Sequence, residues 1–177
     1  MFGEWEGFFT TVAGVSVAAF SVLFVALQVK SDRWTSSRSK TWAAMAALTE
    51  LLVPLIASLI SLMPAHPWPI AAWITGGFGL LVIWGHLLVY QRDKSPDRFD
   101  GVQAILSVCV STPVYGAMIA AGFVSEPVGL YMLGGLSIWL LFSGATEGWF
   151  LLEPRSISAT PKRQILNYDV TRSSQQV

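Results

Sequence analysis

Glu50 and Pro54 stand four residues apart inside one apolar run, 41–63, TWAAMAALTELLVPLIASLISLM. Proline has no N–H to donate, so in a helix the carbonyl of Glu50 loses its usual partner. A carboxylate and a freed carbonyl then lie together, both able to accept a proton or a small cation. Two more ionisable groups, His86 and Glu147, also sit inside apolar runs. An acid at membrane depth costs at least ~2.5–3.5 kcal/mol on insertion scales, so a functional role is its default explanation. A hydrogen bond from a neighbouring helix is the structural alternative. Such bonds average only ~0.6 kcal/mol, too little to explain Glu50. His86 and Glu147 lie only ~6–8 Å from a helix end, at ~1.5 Å per residue. They can reach towards water, and a structural role explains them better. Two carboxylates and an imidazole can ligate a metal. Here they fall on three separate segments without ligand spacing, so neither a metal nor another cofactor is expected.

Five apolar runs carry these groups: 7–29, 41–63, 68–90, 102–124 and 129–152. Each reaches the ~20 residues that a helix needs to cross a bilayer. The chain is 53% hydrophobic and only 12% charged, with mean hydropathy +0.55, whereas soluble domains carry about 25% charge. Glu4 and Glu6 precede the first run where a secretory signal needs positive charge, so it reads as a permanent span. The expected fold is all-α: an integral membrane bundle of five helices over 1–152, one helix plus two hairpins, followed by a polar tail, 153–177. Thr160–Pro161 can start a short helix within that tail.

All eleven Lys and Arg fall in three places: 30–40, 92–98 and 155–172. The short connections 64–67 and 125–127 hold none. The positive-inside rule then places the N-terminus outside and the C-terminus in the cytoplasm, an odd number of crossings. A plasma membrane, the inner one in a bacterium, is the expected location. Topology accounts for the basic residues, which leaves no case for nucleic acid as a partner.

Periodicity says which faces pack. Ala43, Ala46, Ala47, Pro54, Ala57 and Ser61 share the Glu50 side of a helix, with Met45, Leu48, Leu52, Leu55 and Leu59 across from them. Small residues should meet other helices and bulky ones lipid. Glu147 similarly sides with Ser143, Gly144 and Gly148, and His86 with Thr75, Gly76 and Gly79. Pro54 and Pro113 are expected kink sites near the middle of each hairpin's first helix. The stretches 76–86 and 134–144 align without a gap, as a duplicated hairpin would. In the first run Gly7, Gly14, Ser21 and Gln28 recur every seven residues, a spacing suited to a packing seam. Trp5, Trp34, Trp42, Trp68, Tyr90, Tyr131 and Trp149 fall near run ends, as an interfacial belt would. Cys109, alone in an apolar run, reads as an inert buried thiol.

The connections are too short for a soluble catalytic domain. Phosphate-loop, zinc-protease, serine-hydrolase and dinucleotide fingerprints are all absent, as is the potassium-channel filter. The chain is therefore expected not to be an enzyme. The first expectation is a small oligomeric membrane protein that forms an ion or proton pathway, with Glu50, Glu147 and His86 as pathway or ion-binding residues. Five helices are thin for a private pore, so a homo-oligomer in the bilayer is expected. The alternative is a non-enzymatic sensor or accessory subunit that docks a cytoplasmic partner protein through its loops and tail. An intramembrane enzyme would need Glu50, His86 and Glu147 clustered around a metal or a water.

Overall fold

The computed structural model describes residues 3–31, 35, 38–92 and 98–152, with backbone alone at 39, 98–104, 106 and 107. Among these residues the regular structure is entirely helical: α1 (Gly3–Val29), α2 (Arg38–Ser61), α3 (Trp68–Arg92), α4 (Arg98–Ala121) and α5 (Glu126–Leu152). The expected runs match these helices to within about one turn. The tail 153–177, Trp34 and the 93–97 connection lie outside the described residues.

Four helices, α1, α2, α3 and α5, are long and apolar enough to cross a membrane. In α4 the apolar stretch among the residues whose side chains are described is Val108–Ala121. Five spans were expected; among the described residues, four helices meet the length and hydropathy test.

Local chemistry explains the turns. Ser125 accepts the N–H of Gly129 at 2.9 Å, which opens α5, and Pro127 sits in its first turn where no N–H is needed. Pro69 plays the same part in α3. Between α2 and α3 the chain reverses through Ala65 and His66, both with left-handed φ (71° and 47°). Pro54 and Pro113 lie inside unbroken helices. Pro54 is buried and Pro113 exposed.

Packing fixes the helix directions. Leu23 and Leu27, late in α1, cluster with Ala44, Ala47 and Leu51, early in α2. Trp42 of α2 packs over Gly85 of α3. Tyr115 and Ile119 of α4 cover Gly76 of α3, and the Ala121 carbonyl faces Gly129 of α5. Successive helices are therefore antiparallel. Parallel α1 and α5 are neighbours, tied where Lys30 Nζ donates to the Leu152 carbonyl at 3.0 Å. Lys30, Arg38, Lys40, Arg92 and Arg98 consequently sit at one end of the bundle, with Glu4, Glu6 and Glu126 at the other.

The core is organised on α2, which packs against α1, α3 and α5. Of its apolar window 61% is buried, against 22–39% for the other spans. Ala43, Ala46, Ala47, Glu50, Pro54, Ala57 and Ser61 are all buried, while Met45 and Leu59 are exposed. This matches the face expected from spacing. The two hairpins agree in one respect: Gly76 and Gly134 are packed, and Gly77 and Gly135 face open space. They differ in closeness, since α4 and α5 touch far less than α2 and α3 do.

Two expectations need correction. Cys109 is exposed rather than buried, because Ser111, Tyr115 and Met118 take the packed side of α4 and residue 109 lies across the helix from them. Trp68, expected in an interfacial belt, is 7% exposed and packs on Gly129.

The ends of the bundle can be assigned to sides of a membrane by labelling. In a Cys109→Ala background, cysteines placed at Ala65 and Ser125 should react with an impermeant maleimide outside intact cells, and one at Ser95 should not. Reaction at Ser95 alone would reverse the assignment.

Candidate functional site

The spacing of small residues on α2 carries Glu50 into the middle of the bundle, where it is 0% exposed. Gly144 lets α5 come close at that level. A Cβ there would lie 3.0 Å from the Glu50 Cβ, the Ala47 carbonyl oxygen and Leu51 Cγ. From α4, Ser111 Oγ donates to Glu50 Oε1 at 2.6 Å. Ser143 approaches the same carboxyl from α5. Oε2 completes no hydrogen bond among the described residues. Residues 1–29, 41–91 and 99–152 contain no Lys or Arg, so the helix interiors bring no cation to the carboxyl. The Pro54 ring, one turn along, also leaves the Glu50 carbonyl without its helical donor.

Tyr115 completes the surroundings. It is 0% exposed and lies one turn from Ser111 on the packed side of α4. Its ring occupies the space where a side chain at Gly79 of α3 would begin. Side chains in a helix lean towards the N-terminus of that helix, so the phenol extends towards the level of Ser111. Its hydroxyl completes no hydrogen bond among the described residues.

Glu147 is half-buried on α5, one turn beyond Ser143 and Gly144 towards the basic end. His86 is 2% exposed on the α3 face that Thr75, Gly76 and Gly79 share, all of them buried. The predicted faces of both residues are therefore the packed ones. Among the described residues, no three of His, Cys, Asp or Glu come together as a group able to hold a metal. Glu50, Glu147 and His86 therefore form no ligand set among the described residues.

The buried hydroxyls fall into two kinds. Thr49, Thr75 and Ser137 return their protons to carbonyls one turn back, at 2.8, 2.6 and 2.7 Å, the common refuge in a membrane helix. Ser58 and Ser61 are 0% exposed, yet their Oγ atoms complete no hydrogen bond among the described residues. They lie on the buried side of α2 and extend the polar line from Glu50 by ~16 Å towards the acidic end, at ~1.5 Å per residue.

Sequence reasoning found Glu50, His86 and Glu147 and missed Ser111, Ser143 and Tyr115. A signal for Tyr115 was present. The sequence has four tyrosines: Tyr90 and Tyr131 are near span ends, Tyr168 is in the tail, and Tyr115 alone lies deep in a run. Matched against protein-family models, curated proteins and solved structures, the chain finds no counterpart in any of the three.

Proposed function

We propose that this membrane-embedded chain is a non-enzymatic protein that conducts a proton or small ion through the interior of its own bundle, with Glu50 as the binding group. The observation that carries this reading is the enclosed carboxyl of Glu50: among the described residues no Lys or Arg balances it and Oε2 completes no hydrogen bond. Buried hydroxyls, Ser58 and Ser61, continue from it towards the acidic end of the bundle. Burying an acid this way works against stability, and selection keeps such groups where they act. On this reading all five helices cross the bilayer, with the basic end in the cytoplasm, in a plasma membrane. Helices of the same chain surround Glu50, so the pathway runs inside each subunit and not along a seam between subunits.

Subunits would associate through the outer face of α1. Gly7, Gly14, Ser21 and Gln28 are all exposed, and a side chain added at Gly7 or Gly14 would meet nothing within 4 Å in its own chain. Gly14→Leu should therefore leave the fold of one chain intact. By preventing close backbone approach, it should lower the mass of the assembly measured in nanodiscs. An unchanged mass removes α1 from the interface.

The test of function is flux into liposomes that contain the purified protein, under an imposed pH or cation gradient. Flux above that of empty liposomes is expected. The second reading is an accessory or sensor subunit that docks a cytoplasmic partner through its loops and 153–177 tail. The complete enclosure of Glu50 favours it, because no open route reaches the acid. Absence of flux for every ion tried would put that reading first.

A further inference from the structure

Resting on the reading of Glu50 as the binding group, we propose that the ion is a proton and that it passes between Glu50 and the basic end of the bundle through the Tyr115 hydroxyl and Glu147. The donor set argues for the proton. A hard metal cation of the calcium or magnesium kind asks for about six or more oxygen ligands. Here one carboxyl oxygen is already held by Ser111, and the others nearby are single neutral hydroxyls, Ser143 and Tyr115. Enclosure points the same way. An ion would have to shed its water to reach a group that is 0% exposed, whereas a proton needs only a chain of groups able to reorient.

Tyr115 fits as the middle member of such a chain. Its ring is held between α3 and α4 by contact with Gly79, so the hydroxyl can rotate without the ring moving. Tyr115 is 0% exposed, its hydroxyl completes no hydrogen bond among the described residues, and it lies one turn from Ser111, which holds Glu50. Glu147 sits nearer the basic end and is only half-buried, which gives the chain an outlet. In the transfer, the Glu50 carboxylic acid gives its proton to the Tyr115 oxygen while the phenolic proton moves on to the Glu147 carboxylate. Glu50 is left ionised, Tyr115 neutral and Glu147 protonated. One proton has moved and no charge has been created.

The groups on the surrounding helices are few. The packed face of α1 carries Phe9, Val12, Ser16, Leu23 and Leu27, with nothing titratable. From α3 there is His86, from α4 Tyr115, and from α5 Glu147. Among the described residues His86 is the alternative outlet, on the α3 face beyond Gly79.

Hydrogen–deuterium exchange of the Glu50 carboxylic acid, followed by infrared spectroscopy of the full chain in nanodiscs, tests the relay without requiring flux. The band belongs to Glu50 if Glu50→Gln removes it. Tyr115→Phe keeps the ring against Gly79 and removes only the hydroxyl. It should slow exchange at least about tenfold, at the modest end of what a positioned proton-transfer group supplies. Glu147→Gln should slow it comparably, and His86→Gln should leave it at the parent rate. Exchange at the parent rate in Tyr115→Phe overturns the relay, as does slowing by His86→Gln instead of Glu147→Gln. The absence of any acid band that Glu50→Gln removes overturns the proton assignment. Flux measured on the same variants separates the two levels. A parent that conducts, with Glu50→Gln inactive and Tyr115→Phe fully active, keeps the pathway and loses the relay. Slowed exchange in Tyr115→Phe with a parent that conducts nothing keeps the relay and loses the pathway.

Discussion

Glu50→Gln should abolish conduction while the bundle stays folded, and Glu50→Leu should abolish it while making the bundle more stable. Gln keeps the shape and can still accept from Ser111 through its amide oxygen, so its stability should lie within about 1 kcal/mol of the parent, the worth of one hydrogen bond. It carries no exchangeable acid proton, and flux should fall roughly 100-fold or more, the size of a lost acid–base group. Leu removes the buried acid altogether. Ser111 can then turn its hydroxyl to its own helix, as Thr75 and Ser137 already do. Replacing a buried ion pair with apolar residues of similar volume is often neutral or stabilising by ~1–4 kcal/mol, and an acid without a cation partner should be relieved in the same direction. Unfolding by graded denaturing detergent, read by the eight tryptophans, measures the stability half, and liposome flux the other. A Leu variant that is inactive but more stable is the signature of an acid kept for function at a cost in stability. A Leu variant that is markedly less stable makes Glu50 a structural residue.

The second large effect is expected at Gly79. The aromatic ring of Tyr115 occupies the position of a would-be Cβ, and Tyr115 itself is 0% exposed, so the ring has nowhere to retreat. Gly79→Ala should destabilise the bundle by ~1–3 kcal/mol, the usual cost of overpacking. It should also displace the phenol from its level beside Ser111. Pairing Gly79→Ala with Tyr115→Leu should recover most of the lost stability, because the two residues compete for one space; a double-mutant cycle reads that coupling. Additive losses in the cycle would mean that the close approach of α3 and α4 is set elsewhere, for example at Gly76 against the Tyr115 carbonyl.

The packed faces of α2, α3 and α5 were legible in the sequence, and the identity of their neighbours was not. Small residues recurring at helical spacing around Glu50, Glu147 and His86 were enough to say which side would be buried, since that depends on one segment alone. Charge segregation was equally local, and it anticipated the two ends of the bundle. The Ser111–Glu50 bond joins residues 61 positions apart. Finding it requires knowing that α4 faces the same interior as α2, which is a property of the assembled bundle. The same ignorance applies to the heptad of α1: its glycines fit an inward seam as well as the exposed face they occupy. Ser111 reads in the sequence as one short polar residue in an apolar run; that it holds the buried acid is visible only in the assembled bundle.

The bond between Lys30 and the Leu152 carbonyl has a consequence for the order of events in the cell. Its partners are 122 residues apart. At the ~5–20 residues per second of protein synthesis, about 6–24 s separate the making of one from the making of the other. Throughout that interval α1 has α2 for company, through Leu23 and Leu27, but lacks the helix that covers its other flank and tethers its last turn. Gly148, which Leu23 covers in the finished bundle, is made still later than α2. This flank of α1 is thus covered long after the helix itself is made. The enclosure of Glu50 follows the same clock, since Ser143 and Gly144 arrive only with α5.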